Sequence, residues 1–372
     1  MFHTLITLAY IIPNIYVFIR VWGLFINKGY KLYYTLIYIL LASIYPVSNL
    51  IHEGGLNFLS RILTTIADYL LPFYLYLFMF VLFYDILLLI NKILKIISPE
   101  RMKLTQFKKT ALSVILFLSA GVVVFGVINF NTIRTSEYQI EIPCKASETD
   151  HLKIAFVADF HLQERTNIHF VEKFVKKIDD IKPDLMLFGG DIVEGDGEDE
   201  NMIDYEKLIK GISARYGVFG VLGNHEHYSG QDKGSFFDRA GIKVLCDTII
   251  VIHNSFNLGG RNDSHIKSRI PIGDFMKIAI DSLPVILIDH RPTEIDLVSR
   301  TTADIQLSGH THNGQLFPIN LITNSIYKVG WGHKEIGNTH FFVTSGIRLW
   351  GPPVRTTGKS EIMVIDIIFK KH

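Results

Sequence analysis

Residues 152–161 read LKIAFVADFH. A short apolar run broken only by Lys153 has the pattern of a buried strand. It stops on Asp159-Phe160-His161, which places an acid and an imidazole just past the strand end. The pattern recurs outward from there. The buried run 184–188 leads into Gly190-Asp191, and 218–222 leads into Gly223-Asn224-His225-Glu226. The run 285–288 precedes Asp289-His290, and 305–307 precedes Gly309-His310-Thr311-His312. Residues 168–181 have helical spacing, with Phe170, Phe174, Val175 and Ile178 on one face. Residues 361–369 (EIMVIDIIF) read as a strand that closes the domain. Strands separated by helices predict an α/β architecture. In open α/β sheets ligands bind beyond the carboxyl ends of the strands, so the polar clusters are expected to converge on one place. Glycines before Asp191, Asn224 and His310 are expected to let the chain turn sharply there.

A lone Asp-x-His or His pair is more often a hydrogen-bonded structural group than a metal ligand. The set differs from any one member. It offers only oxygen and imidazole donors and no thiolate, which suits Mn, Fe or Zn without choosing among them. Seven or eight donors are too many for one closed site and fit two divalent metal ions sharing a bridging carboxylate.

The order DFH, GGD, GNHE, a lone His, then GHTH resembles the calcineurin-like metallophosphoesterase superfamily. Residues 346–355 (GIRLWGPPVR) resemble its bacterial membrane-associated branch. The resemblance covers about residues 150–370. It implies an α/β/β/α sandwich-like domain and the following roles. Asp159, His161 and His312 hold a first metal, Asp191 bridges both, and Asn224, His290 and His310 hold a second. His225 binds no metal but steadies the phosphoryl oxygen or protonates the leaving group. Glu226 supports His225 from behind. Glu194 and Asp196 lie near the place where some members carry a further acid, and neither receives a role. Residues 260–263 (GRND) and Arg355 either border the pocket or act structurally, and Asp289 is a candidate by adjacency for orienting an imidazole. His169, His227 and His253 are assigned to surface or packing.

The first third of the chain is of another kind. Of the 372 residues 48 % are apolar, and residues 1–130 are dense in Leu, Ile, Phe and Tyr. A helix needs about 20 mostly apolar residues to span the hydrocarbon core. Four such stretches are expected: 5–26, 33–51, one within 62–90 that tilts or kinks at Pro72, and 111–128. A cleaved signal peptide fits poorly, because residues 1–26 lack a basic start and a small-residue cleavage site. Lys28 and Lys31, with Arg20 close by, mark one basic connection. Lys92, Lys95, Arg101, Lys103, Lys108 and Lys109 mark another. Basic connections stay cytoplasmic, so the N-terminus and everything after the fourth span are expected on the extracytoplasmic face. Asp68 and Asp85 are read as interfacial, with a neighbouring helix as partner, and the aromatic residues as anchors and packing. The organisation expected is a transmembrane region at 1–130, a linker and first strand at 131–150, and the metallophosphoesterase domain at 151–372.

The net charge of +1 gives no reason to expect nucleic acid as a partner. Two cysteines, Cys144 and Cys246, exclude a disulfide-rich scaffold and leave open one bridge or two thiols. The function expected is hydrolysis of phosphate mono- or diesters, with membrane attachment favouring a lipid-linked or envelope substrate. The alternatives are a non-catalytic membrane sensor that keeps the fold, and a transporter with the domain as regulator.

Overall fold

A computed structural model describes residues 2–52, 58–144, 146–163, 166–194, 200–228 and 234–371. The chain divides into two compact units, residues 1–128 with 351–356, and residues 129–350 with 357–372. Asp196 and part of the 52–61 connection lie outside the described residues.

The first unit is helical: α1 (Phe2–Leu24), α2 (Lys31–His52), α3 (Phe58–Leu94), α4 (Pro99–Lys103) and α5 (Thr105–Asn131). Among the described residues three helical stretches are long and apolar enough to cross a membrane: Lys28–Ile51, which holds all of α2 but its last residue, then α3, then α5. Four were expected. The remaining one, 5–26, falls mostly on α1, where Ala9–Leu24 is a further apolar stretch and the side chains of residues 5–8 lie outside the described residues. The third stretch is one helix of 37 residues that runs unbroken through Pro72. Val17 and Val21 of α1, and Phe25 just after it, pack with Tyr74, Leu77 and Val81 of α3. Tyr10, Tyr38 and Tyr74 stack edge to face, with ring centroids 5.7–6.3 Å from Tyr74, so these aromatics pack. Asp85 finds its partner on α1: Arg20 Nε donates to it at 2.6 Å and the Tyr16 hydroxyl at 2.5 Å. Within this unit the fully buried Arg355 donates its backbone N–H to Gly126 O at 3.0 Å.

The second unit holds two mixed sheets of six strands. The first contains β1 (Ile133–Cys144), β2 (His151–Val157), β3 (Leu185–Phe188), β4 (Val218–Gly220), β5 (Lys243–Val244) and β12 (Ser360–Lys371), in the order β1-β12-β2-β3-β4-β5. The second contains β6 (Thr248–Ile252), β7 (Phe256–Gly260), β8 (Val285–Ile288), β9 (Ile305–Ser308), β10 (Gly332–Ile336) and β11 (Thr339–Val343), in the order β10-β11-β9-β8-β7-β6. The helices are α6 (Ile168–Ile181), α7 (Glu200–Lys210), α8 (Asn224–Tyr228), α9 (Gly234–Arg239), α10 (Ile272–Phe275), α11 (Ile295–Val298) and α12 (Ile319–Ile326).

Alternation along β2 explains the layering. Ile154 and Phe156 join Leu258, Ile286, Ile288 and Leu307 of the second sheet in one core. Ala155 and Val157 face the other way, onto Phe170 and Phe174 of α6, Tyr205 of α7 and Phe236 of α9. Beyond the second sheet, Val285 and Leu287 pack on Phe275 of α10 and Val298 of α11. The layers run helix, sheet, sheet, helix. β2, β3 and β4 are mutually parallel, as are β8 and β9. The loops after these five strands carry the polar clusters.

Candidate metal centre

The loops after β2 and β3 run side by side. Asp159 N–H donates to Gly190 O at 2.9 Å, His161 N–H to Asp191 O at 3.0 Å, and Leu162 N–H to Ile192 O at 2.9 Å. The loop after β9 is tied in by His310 N–H, which donates to both Asp159 carboxylate oxygens at 3.0 Å. The Asp191 carboxylate accepts the His225 N–H of α8 at 2.8 Å. Asp159, His161, Asp191, His310 and His312 all have left-handed backbone, φ 47–70°. Non-glycine residues rarely adopt it outside strained, over-determined sites. The glycines before these residues were expected to make the turns, and Gly190 does so at φ 89°. Gly223 and Gly309 instead make room: a Cβ at Gly223 would lie 2.2 Å from Asp191 Oδ1, and one at Gly309 2.5 Å from Asp159 Oδ2.

Ligand atoms of Asp159, His161 and His312 lie within 4.8 Å of one another, as do those of Asp191, His290 and His310, and those of His161, Asp191 and His225. Asp191 thus belongs to two of the three groups. Asn224 Oδ1 lies 3.2 Å from His290 Nε2, which is also 3.1 Å from Asp191 Oδ2. The structure brings every residue expected to bind metal into one buried cluster.

The donor chemistry fits divalent cations. His290 Nδ1 donates to Gly189 O at 2.8 Å, which turns the lone pair of Nε2 toward Asp191 and Asn224. His161 Nδ1 donates to Glu194 Oε1 at 2.7 Å. Its Nε2 is buried and has no hydrogen-bond partner among the described residues. A carboxylate on the far nitrogen is the arrangement that fixes the tautomer of a ligating imidazole. The electrostatics agree. Burial, with Asp191 beside it, raises Asp159 to about 6. Burial opposes the imidazolium of His290, yet Asp191 and Asp159 raise that ring to about 10. The cluster carries negative charge that calls for a cation.

Glu194 is the residue that sequence reasoning left without a role. Besides His161, it accepts His225 Nδ1 at 2.6 Å. Burial disfavours its charge, but the two imidazoles bring it down to about 2. Glu226 was expected to support His225. Its hydrogen bonds go elsewhere: the carboxylate accepts the backbone N–H groups of Asp191 (2.9 Å), Ile192 (2.6 Å), Val193 (3.0 Å) and Gly223 (2.7 Å). It braces the turn that carries Asp191. Asp289 does not orient His290 either. It accepts Arg261 Nη1 at 3.1 Å and Arg269 Nη2 at 2.5 Å, and both guanidinium groups also reach Glu294. Arg261 is therefore structural, while Asp263 holds Arg291 Nε at 2.9 Å. His169 pairs with Glu172 on the surface, and His253 packs on Tyr216. Cys246 is an exposed free thiol.

The family model "Calcineurin-like phosphoesterase" matches residues 152–314. An uncharacterized metallophosphoesterase of Campylobacter jejuni is 28 % identical over 251 residues, covering 65 % of this chain and 66 % of that protein. The chain thus spans just under two thirds of that relative's length. An uncharacterized metallophosphoesterase of Aquifex aeolicus is 30 % identical over 243 residues, covering 63 % of this chain and 92 % of the relative. A Danio rerio protein named "Transmembrane protein with metallophosphoesterase domain" is 23 % identical over 305 residues, covering 76 % of this chain and 68 % of that one. With the five ligand loops and this breadth of similarity, the chain belongs to the calcineurin-like phosphoesterase family.

Proposed function

We propose that this chain is a membrane-anchored phosphoesterase that hydrolyses phosphate mono- or diesters of lipid or cell-envelope origin with two divalent metal ions. The observation that carries the reading is that Asp191 groups both with His290 and His310 and with His161, which itself groups with Asp159 and His312. In this reading Asp159, His161 and His312 hold one ion, Asn224, His290 and His310 the other, and Asp191 lies between them. Bound there, such ions lower the pKa of water and neutralise charge on phosphoryl oxygens.

The remaining work falls to the chain. Glu194 holds His161 and His225 by their Nδ1 atoms, so each ring turns its Nε2 away from Glu194. Burial disfavours the charged form of His225, but Glu194 and Asp191 raise its pKa above the usual imidazole value. A ring with raised basicity and a fixed tautomer retains a proton to give to a departing alkoxide. Glu226 keeps the Asp191 turn in its left-handed conformation through four backbone N–H groups.

Anchoring is supported by the three membrane-capable helices and by the transmembrane relative. With α1 as a further span, the basic connections around Lys28 and Lys92–Lys109 put the catalytic domain on the extracytoplasmic face. The test is full-length protein in detergent, stripped of metal and resupplied with Mn, Zn or Fe. Release of nitrophenol from mono- and bis-nitrophenyl phosphate should return with metal, and should fall by about 100-fold or more in His225→Ala, the usual scale for loss of a general acid. Two ions bound with no turnover of either ester would favour the non-catalytic sensor. Orientation is read separately: a membrane-impermeant maleimide should label Cys246 on intact cells, and labelling only after permeabilisation would reverse the topology.

A further inference from the structure

α12 has the sequence INLITNSI and carries no charge. An eight-residue helix on a soluble domain normally turns its aliphatic side chains inward. This one turns them out. Ile319 is 41 % exposed, Leu321 58 %, Ile322 59 % and Ile326 69 %, and Phe317 just before the helix is 43 % exposed. The buried residue of the helix is Thr323. Exposed apolar patches of this kind mark contact surfaces.

The helix is held close to the metal centre. It follows the turn His312–Gly314, where a Cβ at Gly314 would lie 2.4 Å from Asn320 N. At its other end the Tyr327 ring is 6.3 Å from the His310 ring. Ile326, Tyr327 and Lys328 line an open cleft of about 300 Å³ together with Pro292 and Thr293 of the loop that follows His290. The apolar face, the cleft and the ligand loops are therefore contiguous.

We propose that α12 and Phe317 dock into the surface of a lipid bilayer and hold the metal centre at the headgroup layer, so that the phosphate ester is taken from a lipid in the membrane. The inference rests on the membrane-anchored phosphoesterase reading above and narrows its substrate class. The chain itself supplies the argument for a bilayer over a protein partner. α5, one of its three membrane-capable helices, ends at Asn131, and β1 begins at Ile133. A single residue separates them, so the domain stays tethered beside the membrane. α12 is about 12 Å long, far too short to span and suited to lying in the interface. Trp331 follows shortly after it and is partly exposed, as befits an interfacial aromatic.

The test uses full-length protein in vesicles of phosphatidylethanolamine and phosphatidylglycerol, with both native cysteines replaced by serine. A nitrobenzoxadiazole label is placed on Ile322→Cys, on Ile326→Cys, and on Lys207→Cys of α7 as an aqueous reference. Labels at 322 and 326 should emit to the blue and be quenched by headgroup-proximal spin-labelled lipid, whereas the label at 207 should not. The proposal is overturned if 322 and 326 are quenched no more than 207. It is equally overturned if they shift to the blue without lipid quenching, since a second copy or another protein would then cover the face. In a further variant, Ile319→Glu with Ile322→Glu, quenching of a label at Leu321→Cys should fall about tenfold, while turnover of nitrophenyl phosphate stays unchanged. Lipid quenching in a protein that hydrolyses neither nitrophenyl ester with any metal would leave the docking in place and remove the hydrolase reading.

Discussion

The two sheets furnish the metal centre in different ways. Loops of the first sheet bring both carboxylates, Asp159 and Asp191, and surround them with acids that act on backbone and imidazole: Glu226 through four N–H groups, Glu194 through His161 and His225. Loops of the second sheet bring His290, His310 and His312. Behind them stands a charge network of Arg261, Arg269, Asp289 and Glu294 that, among the described residues, makes no hydrogen bond to these rings. His290 is instead oriented by the backbone carbonyl of Gly189, from the first sheet. The contrast separates two jobs. Support on the first side tunes the ligands, and support on the second side holds the loop that carries them.

Substitutions that strike one kind of support and spare the other sharpen the contrast. The largest effect on stability is expected from Asp289→Asn. Asp289 is fully buried between two buried arginines, and breaking a buried ion pair costs about 3–5 kcal/mol. Chemical denaturation should show a loss of that size, while metal affinity of the folded protein remains unchanged. A fall in metal affinity at full stability would show that the network acts on His290 after all. Glu194→Gln should do the reverse. The amide cannot hold two imidazole tautomers as a carboxylate does. Metal affinity or turnover should therefore drop about 10- to 100-fold, the scale for partners of ligating histidines. Its partly exposed side chain predicts little change in the denaturation midpoint. Equal metal titrations for wild type and Glu194→Gln would remove Glu194 from the centre.

The same contrast governs what the sequence discloses. The ligand loops are legible because each follows a buried apolar run: β2, β3, β4, β8 and β9 fall where 152–158, 184–188, 218–222, 285–288 and 305–307 predict them, and α6 spans the expected 168–181. The support is not legible. Glu226 looks like a partner for its neighbour His225, yet three of its four bonds reach backbone more than thirty positions away. Asp289 adjoins His290 but points to arginines. Adjacency along a chain says little about contact at a turn, where successive side chains diverge. Glu194 had one signal, an acid three positions after Asp191, and nothing in the sequence tells which atoms it meets. The β6–β7 hairpin passed unread, and the first strand was expected at 131–150 without its pairing partner. Thr248–Ile252 lies at a sheet edge with mixed burial, and β1 pairs with β12, more than two hundred residues away. The α12 face is visible as composition, but only the structure turns it outward.

The central claim is that Asp191 lies between two metal ions. The most direct measurement is electron paramagnetic resonance of the metal-free, full-length protein titrated with manganese, beside Asp191→Asn. Two equivalents bound with an exchange-coupled signal in the wild type, and loss of that coupling in Asp191→Asn, is the predicted result. A single manganese, or two that give independent signals in the wild type, would contradict it.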